Sequence, residues 1–206
     1  MSQKEQFTLY THFGGPNGWK VAIILEELGL TYESIYLDFS KEEQKAPPHI
    51  ILNPNGRIPT LVDHQNDNFV IWESNAILVY LLEKYDKKNK LGVVDDNDKY
   101  TLLQWLFFQA SGQGAIERYQ KETQRVLGVL ESVLSKQEWL VGGKPTIAEL
   151  SFYVWNRAAF RSYLNGMNGL VVDVEKGYPS VYKWHKKLEE RPAVAKLVAV
   201  QASLLK

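Results

Sequence analysis

Residues 7–39, FTLYTHFGGPNGWKVAIILEELGLTYESIYLDF, decide the fold. Phe7, Leu9 and Thr11 alternate with Thr8, Tyr10 and His12, which is the period-two pattern of a strand over Phe7 to His12. The breaker cluster Gly14-Gly15-Pro16-Asn17-Gly18 stops it. Trp19, Ala22, Ile23, Leu25 and Leu28 then recur at helical spacing, and Gly29 supplies the end. Tyr32 to Phe39 returns to aromatic and β-branched residues and predicts a second strand. The stretch is a β-α-β unit.

Working outward, Lys41 to Asn53 is ambiguous, because Pro47-Pro48 cuts short any helix there. Thr60 to Asp63 and Phe69 to Trp72 are short apolar runs on either side of Asn66-Asp67-Asn68, the pattern of an antiparallel hairpin. Ala76 to Tyr85 reads as a helix. The order β-α-β-(α)-β-β-α predicts a mixed four-stranded sheet backed by helices, a domain over residues 1–85. Residues 86–97 read as a polar linker. Beyond it the patterns are helical: Leu102 to Ala110, Ile116 to Leu134, Ile147 to Asn156, Ser180 to Glu190 and Ala193 to Leu205. Val171 to Val174 is a candidate short extended piece. The fold class is therefore α/β plus all-α, with an all-helical domain over residues 98–206.

Composition narrows the function. Twenty-four basic residues balance 24 acidic ones, which argues against a general nucleic-acid or membrane-surface binder, since both need a basic field. Hydrophobic residues make up 45% and charged residues 23%, so disorder is not indicated. The chain has no cysteine, which excludes a disulfide framework, a thiolate metal site and a cysteine nucleophile. Thiol chemistry would need a thiol brought by a substrate. His12, His49, His64 and His185 share no ligand-like spacing, so no metal is expected. Met1 to Gln6 is polar, without an apolar signal core, and no apolar run approaches the ~20 residues that span a bilayer, so a cytoplasmic protein is expected.

Four motifs stand in order along the chain. They are Gly15-Pro16-Asn17-Gly18-Trp19-Lys20, Asn53-Pro54-Asn55-Gly56-Arg57-Ile58-Pro59, Ile71-Trp72-Glu73-Ser74 and Thr146-Ile147-Ala148-Glu149. Together they resemble the glutathione transferase superfamily, and within it the subgroup of the budding-yeast nitrogen-catabolite regulator and its bacterial nu-class relatives. The resemblance implies a thioredoxin-like N-terminal domain, a helical-bundle C-terminal domain and glutathione as co-substrate. It implies a cis peptide at Ile58-Pro59, with the Ile58 backbone exposed to the cysteinyl part of glutathione. Arg57 would meet a carboxylate, Ser74 and the helix start the γ-glutamyl carboxylate, and Glu73 its ammonium. Gln44 and Arg118 match further glutathione-contacting positions. Asn17 is the implied catalytic residue, its amide and the helix N-terminus both favouring a thiolate over a thiol.

Each residue alone also has a plain structural reading. Asn17 and Ser74 suit helix starts, Arg57 a solvated loop, and Thr146-x-x-Glu149 a capping box. The ordered set favours the glutathione site. The implied second substrate is a small electrophile, a disulfide or a peroxide, giving a detoxifying or redox role. A non-catalytic binding or regulatory protein of the same fold stays open as the alternative. Members of the subgroup carry a longer stretch where this chain has only Ser111-Gly112-Gln113-Gly114. Gln104 to Gly114 and Ile116 to Gln137 are expected to pack as antiparallel helices through a closed turn there, giving an ordinary homodimer or a monomer with a more open second-substrate pocket. Were the short turn to open, the dimer would be altered or domain-swapped.

Overall fold

The computed structural model describes residues 5–111 and 116–204. The chain divides into two compact units, one holding the residues up to Lys88 together with those from Pro192, the other Asn89–Arg191.

In the first unit, β1 (Phe7–Thr11), β2 (Tyr32–Tyr36), β3 (Thr60–Asp63) and β4 (Phe69–Trp72) form one sheet in the order β2-β1-β3-β4. β1 runs parallel to β2 and antiparallel to β3, which pairs antiparallel with β4. The sheet is mixed and four-stranded, as expected. Helices α1 (Pro16–Leu28) and α3 (Ser74–Tyr85) pack on each other, and α2 (His49–Leu52) is a single turn between β2 and β3. The alternation in β1 buries Phe7 and Leu9, and Val21, Ile24, Leu25, Leu61, Ile77, Leu78 and Leu81 complete the core.

Local chemistry sets the boundaries. β2 stops at Tyr36 instead of running to Phe39. Asp38 intervenes by accepting a hydrogen bond from Ser40 N–H at 2.9 Å, which caps a 3₁₀ turn over Phe39–Lys41. α1 begins earlier than its apolar pattern, because Pro16 at its first position loses no helical hydrogen bond. It ends at Gly29, held at φ 68° in the left-handed region. Helix α9 (Pro192–Leu204) packs on α1, with Lys196 Nζ 2.8 Å from the Glu26 carboxylate. The last helix thus groups with the sheet unit, where the sequence reading runs it on from the helical domain. An amphipathic pattern reports which face is apolar but not which neighbour covers it.

The second unit is helical: α4 (Asp96–Ser111), α5 (Ile116–Leu134), α6 (Ile147–Ala158), α7 (Val174–Gly177) and α8 (Pro179–Glu189). α4 starts six residues before its apolar pattern, because Asp95 accepts from Asn97 and Asp98 N–H at 2.9 and 3.1 Å. The Thr146–Glu149 capping box forms as expected. Glu131 on α5 accepts from Ser180 and Val181 N–H at 3.1 and 2.9 Å, placing a carboxylate on the positive end of α8. Val171 makes one antiparallel bridge, to Asn165, before Asp173 caps α7. The Gly112-Gln113-Gly114 junction, on which the closed-turn and swapped alternatives rest, lies outside the described residues.

Two glycines separate packing from propensity. A Cβ added to Gly18 would sit 1.7 Å from Thr11 Oγ1, whereas one added to Gly128 on α5 meets nothing within 4 Å. Gly18→Ala should therefore destabilise the protein by about 1–3 kcal/mol through overpacking. Gly128→Ala should stabilise it by about 0.4–1 kcal/mol by restricting the unfolded chain. Urea midpoints moving in opposite directions confirm this, and a shift of the same sign for both would refute it.

Candidate functional site

The first unit gathers three chain segments around one place. α1 starts with Gly15 as N-cap, Pro16 and Asn17, and no side chain caps it. The turn before it is tight, with Gly15 N–H donating to His12 O at 2.9 Å and Gly14 N–H to His12 Nδ1 at 3.1 Å. A Cβ on Gly15 would lie 2.8 Å from Ile58 Cδ1. Glycine is what lets the loop before β3 come this close to the start of α1.

That loop carries the expected cis peptide between Ile58 and Pro59. A buried network holds it. Asn53, 2% exposed, donates from Nδ2 to Arg57 O at 2.8 Å and to Thr60 Oγ1 at 2.9 Å. His49 Nδ1 lies 2.9 Å from Gln44 O, and Nε2 lies 3.1 Å from Thr60 Oγ1. A carbonyl can only accept, so Nδ1 carries the proton, and Nε2 takes the hydrogen of the Thr60 hydroxyl. Asn53 then fills the acceptor side of that hydroxyl. The loop is thus fixed from beneath, while the Arg57 side chain stays exposed.

The third segment is the start of α3. Glu73 is its N-cap, at φ 69°, a left-handed backbone that costs a non-glycine residue energy, and it makes no side-chain capping bond. Asn55 Nδ2 reaches Glu73 Oε1 at 3.5 Å, tying the proline loop to this helix start. Ser74 is buried, and its hydroxyl lies 3.4 Å from Asn17 Oδ1. The starts of α1 and α3 therefore meet through Asn17 and Ser74.

Of the sequence-predicted residues, Asn17, Arg57, Ile58, Glu73 and Ser74 are brought together by these contacts. Gln44 is linked to them through His49. Its backbone carbonyl is engaged, while its side-chain Oε1 is buried with no hydrogen-bond partner among the described residues. The side chain of Arg118 lies outside the described residues. No cluster of three or more His, Cys, Asp or Glu side chains suited to a metal occurs among the described residues.

Sequence alone gives Lys20 no role in the site. It follows Asn17 by three residues, so both lie on one face of α1. It is 1% exposed, and its Nζ donates to Asn75 Oδ1, on the first turn of α3, at 2.5 Å. The sequence signal was a single cation inside the apolar run Trp19 to Leu25. Burial pushes its pKa down to about 7, against the opposing pull of Glu73.

The starts of α1 and α3, neither closed by a side-chain cap, thus lie together beside the exposed Arg57 and Glu73 side chains, and helix N-termini suit anionic groups. The family model of the glutathione S-transferase N-terminal domain matches residues 5–83, and that of the C-terminal domain matches residues 97–192. Glutathione S-transferase 2 of Schizosaccharomyces pombe is 47% identical over 213 aligned positions, covering 91% of this chain and 93% of that protein. The glutathione transferase URE2P6 of Phanerochaete chrysosporium, solved with oxidized glutathione, superposes with a TM-score of 0.91 at 56% identity, covering 98% of this chain and 99% of the other. Ure2p5 of the same organism, cocrystallized with 1-(S-glutathionyl)-2,4-dinitrobenzene, gives 0.89 at 46% identity over 99% and 98%.

The buried lysine generates a prediction with a definite sign. The unfolded chain keeps this proton up to about 10.5, the ordinary lysine value, and the folded chain releases it near 7. Between those values the unfolded state binds more protons, so this group's contribution to stability rises with pH. Glu73, at the start of α3, is the acid acting on it, and Asn75 is its neutral partner. Lys20→Met should stabilise the protein by about 1–4 kcal/mol at pH 6, and by clearly less at pH 9.5. Urea titrations at both pH values check this. An equal gain at both would mean that the ammonium is not desolvated.

Proposed function

The chain belongs to the glutathione S-transferase family, and from that premise we propose that the meeting point of α1, the Ile58-Pro59 loop and α3 binds glutathione and keeps its sulfur as a thiolate. The observation that carries this is the Asn17–Ser74 contact at 3.4 Å, which brings two helix N-termini together. It is a glutathione transferase-type enzyme.

Each residue has a task fitted to its place. Ser74 Oγ and the first N–H groups of α3 take the γ-glutamyl carboxylate, and the exposed Glu73 carboxylate takes the ammonium. Ile58, presented beside the cis peptide, offers its backbone to the cysteinyl residue. Arg57, whose side chain is exposed, takes the remaining carboxylate. Gln44 Oε1 accepts an N–H of the tripeptide, which would satisfy an atom now without a partner.

Asn17 and the positive end of α1 do the electrostatic work. A free thiol has a pKa near ~8.5, so lowering it by one or two units makes much of it thiolate at neutral pH. In the reaction the sulfur forms a new bond to electrophilic carbon, or to the sulfur or oxygen of a disulfide or peroxide. The leaving group departs with the electron pair of the broken bond, and the thiol proton passes to solvent. His12 stacks on Phe39 at 4.3 Å and lies 4.2 Å from Phe13, just before Gly14. Burial lowers its pKa against the pull of Asp38, which favours a neutral ring and gives an aromatic second substrate an apolar face.

The same proposal covers the finer points of the resemblance. It includes a cytoplasmic location, a detoxifying or redox role, no metal, and no nucleic-acid or membrane partner. A homodimer would cover exposed aromatic residues such as Tyr100 and Phe107, seven apart on one stripe of α4.

Turnover with glutathione and a chlorodinitrobenzene, a hydroperoxide or hydroxyethyl disulfide tests the reading. Wild type should turn over at least one of them. Asn17→Ala should lower kcat about tenfold or more, the effect of a lost charge-assisted hydrogen bond, and change the glutathione Kd far less. Binding without turnover of any of the three would instead assign a binding or regulatory protein. An unchanged kcat in the variant would move the activating role to another group.

A further inference from the structure

Lys20 occupies a place that stability alone would not select. Its ammonium is buried, and its Nζ contacts Asn75, the second residue of α3, at 2.5 Å. A helix N-terminus is the positive end of the helix dipole, where cations are disfavoured. Lys20 is itself only five residues into α1, near a second positive end. A methionine would fill the same space without a charge.

Glu73 supplies the facing negative charge, and it is exposed at the rim of the site. A γ-glutamyl group would change that balance, since it carries an ammonium and a carboxylate on one carbon. Its ammonium pairs with Glu73, and its carboxylate brings a new negative charge to Ser74 and the start of α3. With Glu73 engaged by the ligand ammonium, the ligand carboxylate becomes a second negative charge acting on the buried ammonium.

We propose that Lys20 is a positioning residue for the γ-glutamyl carboxylate. It braces the first turn of α3 through Asn75, and its charge adds to the field of the two helix ends at Ser74. It touches no reacting atom. The inference rests on the glutathione reading above and extends it to a residue beneath the binding surface. Its consequence is selectivity for a ligand with a carboxylate at that carbon.

The test compares two ligands on wild type and two variants by isothermal titration at pH 6, where the lysine is protonated. One ligand is glutathione, and the other is the same tripeptide with the γ-glutamyl carboxylate replaced by hydrogen. Wild type should bind glutathione about tenfold or more tightly than the analogue, the effect of a charge-assisted interaction. Lys20→Met should bind glutathione about tenfold more weakly. Its affinity for the analogue should change less than about twofold, so that most of the discrimination disappears. Lys20→Gln keeps a donor for Asn75 without the charge and should lose discrimination too, which separates the charge from the hydrogen bond. Equal weakening of both ligands in either variant would reduce Lys20 to a structural role and overturn the inference. A wild-type protein that binds neither ligand would overturn the glutathione reading itself.

Discussion

Helix α1 approaches the sheet and the proline loop more closely than a side chain allows, and the site depends on that approach. At Gly18 the distance to Thr11 leaves room for hydrogen alone, and at Gly15 the Ile58 side chain occupies the space of a Cβ. These contacts carry no chemistry of their own. They bring the N-terminus of α1 beside the cis peptide, so that Asn17 reaches Ser74 on α3. Moving α1 outward by the width of a methyl group would separate the three segments and leave three ordinary helix and loop ends.

The segments converge at a cost that other parts of the unit offset. Two positive helix ends point to one region, a lysine is buried between them, and Glu73 is held in a left-handed backbone. The core made by Phe7, Leu9, Ile24, Leu25, Ile77 and Leu81 supplies apolar burial beneath them. The Asn53–Thr60–His49 chain fixes the loop with each donor and acceptor matched. A rigid scaffold can thus hold two helix starts, a buried lysine and an exposed carboxylate in fixed positions, and fixed positions are what electrostatic preorganisation requires.

Much of this was legible in the sequence where local rules act alone. β3 and β4 match their apolar runs, and Thr146 and Glu149 form the capping box that their spacing predicts. Boundaries set by a single carboxylate were less legible. Asp38 shortens β2 and Asp95 extends α4, and both read as generic polar residues in sequence. Packing partners were not legible at all, since nothing in Pro192 to Leu204 names α1 as its neighbour. In the site, Asn17, Glu73 and Ser74 stood out through ordered motifs. Lys20 did not, because a lone lysine in an apolar helix usually extends its ammonium to water. Only the tertiary structure shows this one meeting Asn75. The tie that His49 makes between Gln44 and Thr60 was not legible either, because it depends on a loop that sequence left ambiguous.

The central claim is that the starts of α1 and α3 hold opposite ends of one γ-glutamyl-cysteinyl unit. A crystal structure of this chain with reduced glutathione tests it most directly. The γ-glutamyl carboxylate should lie on Ser74 and the first N–H groups of α3, the cysteinyl backbone on Ile58, and the sulfur beside Asn17. Glutathione bound with its sulfur turned away from Asn17, or with its γ-glutamyl carboxylate remote from Ser74, would contradict it.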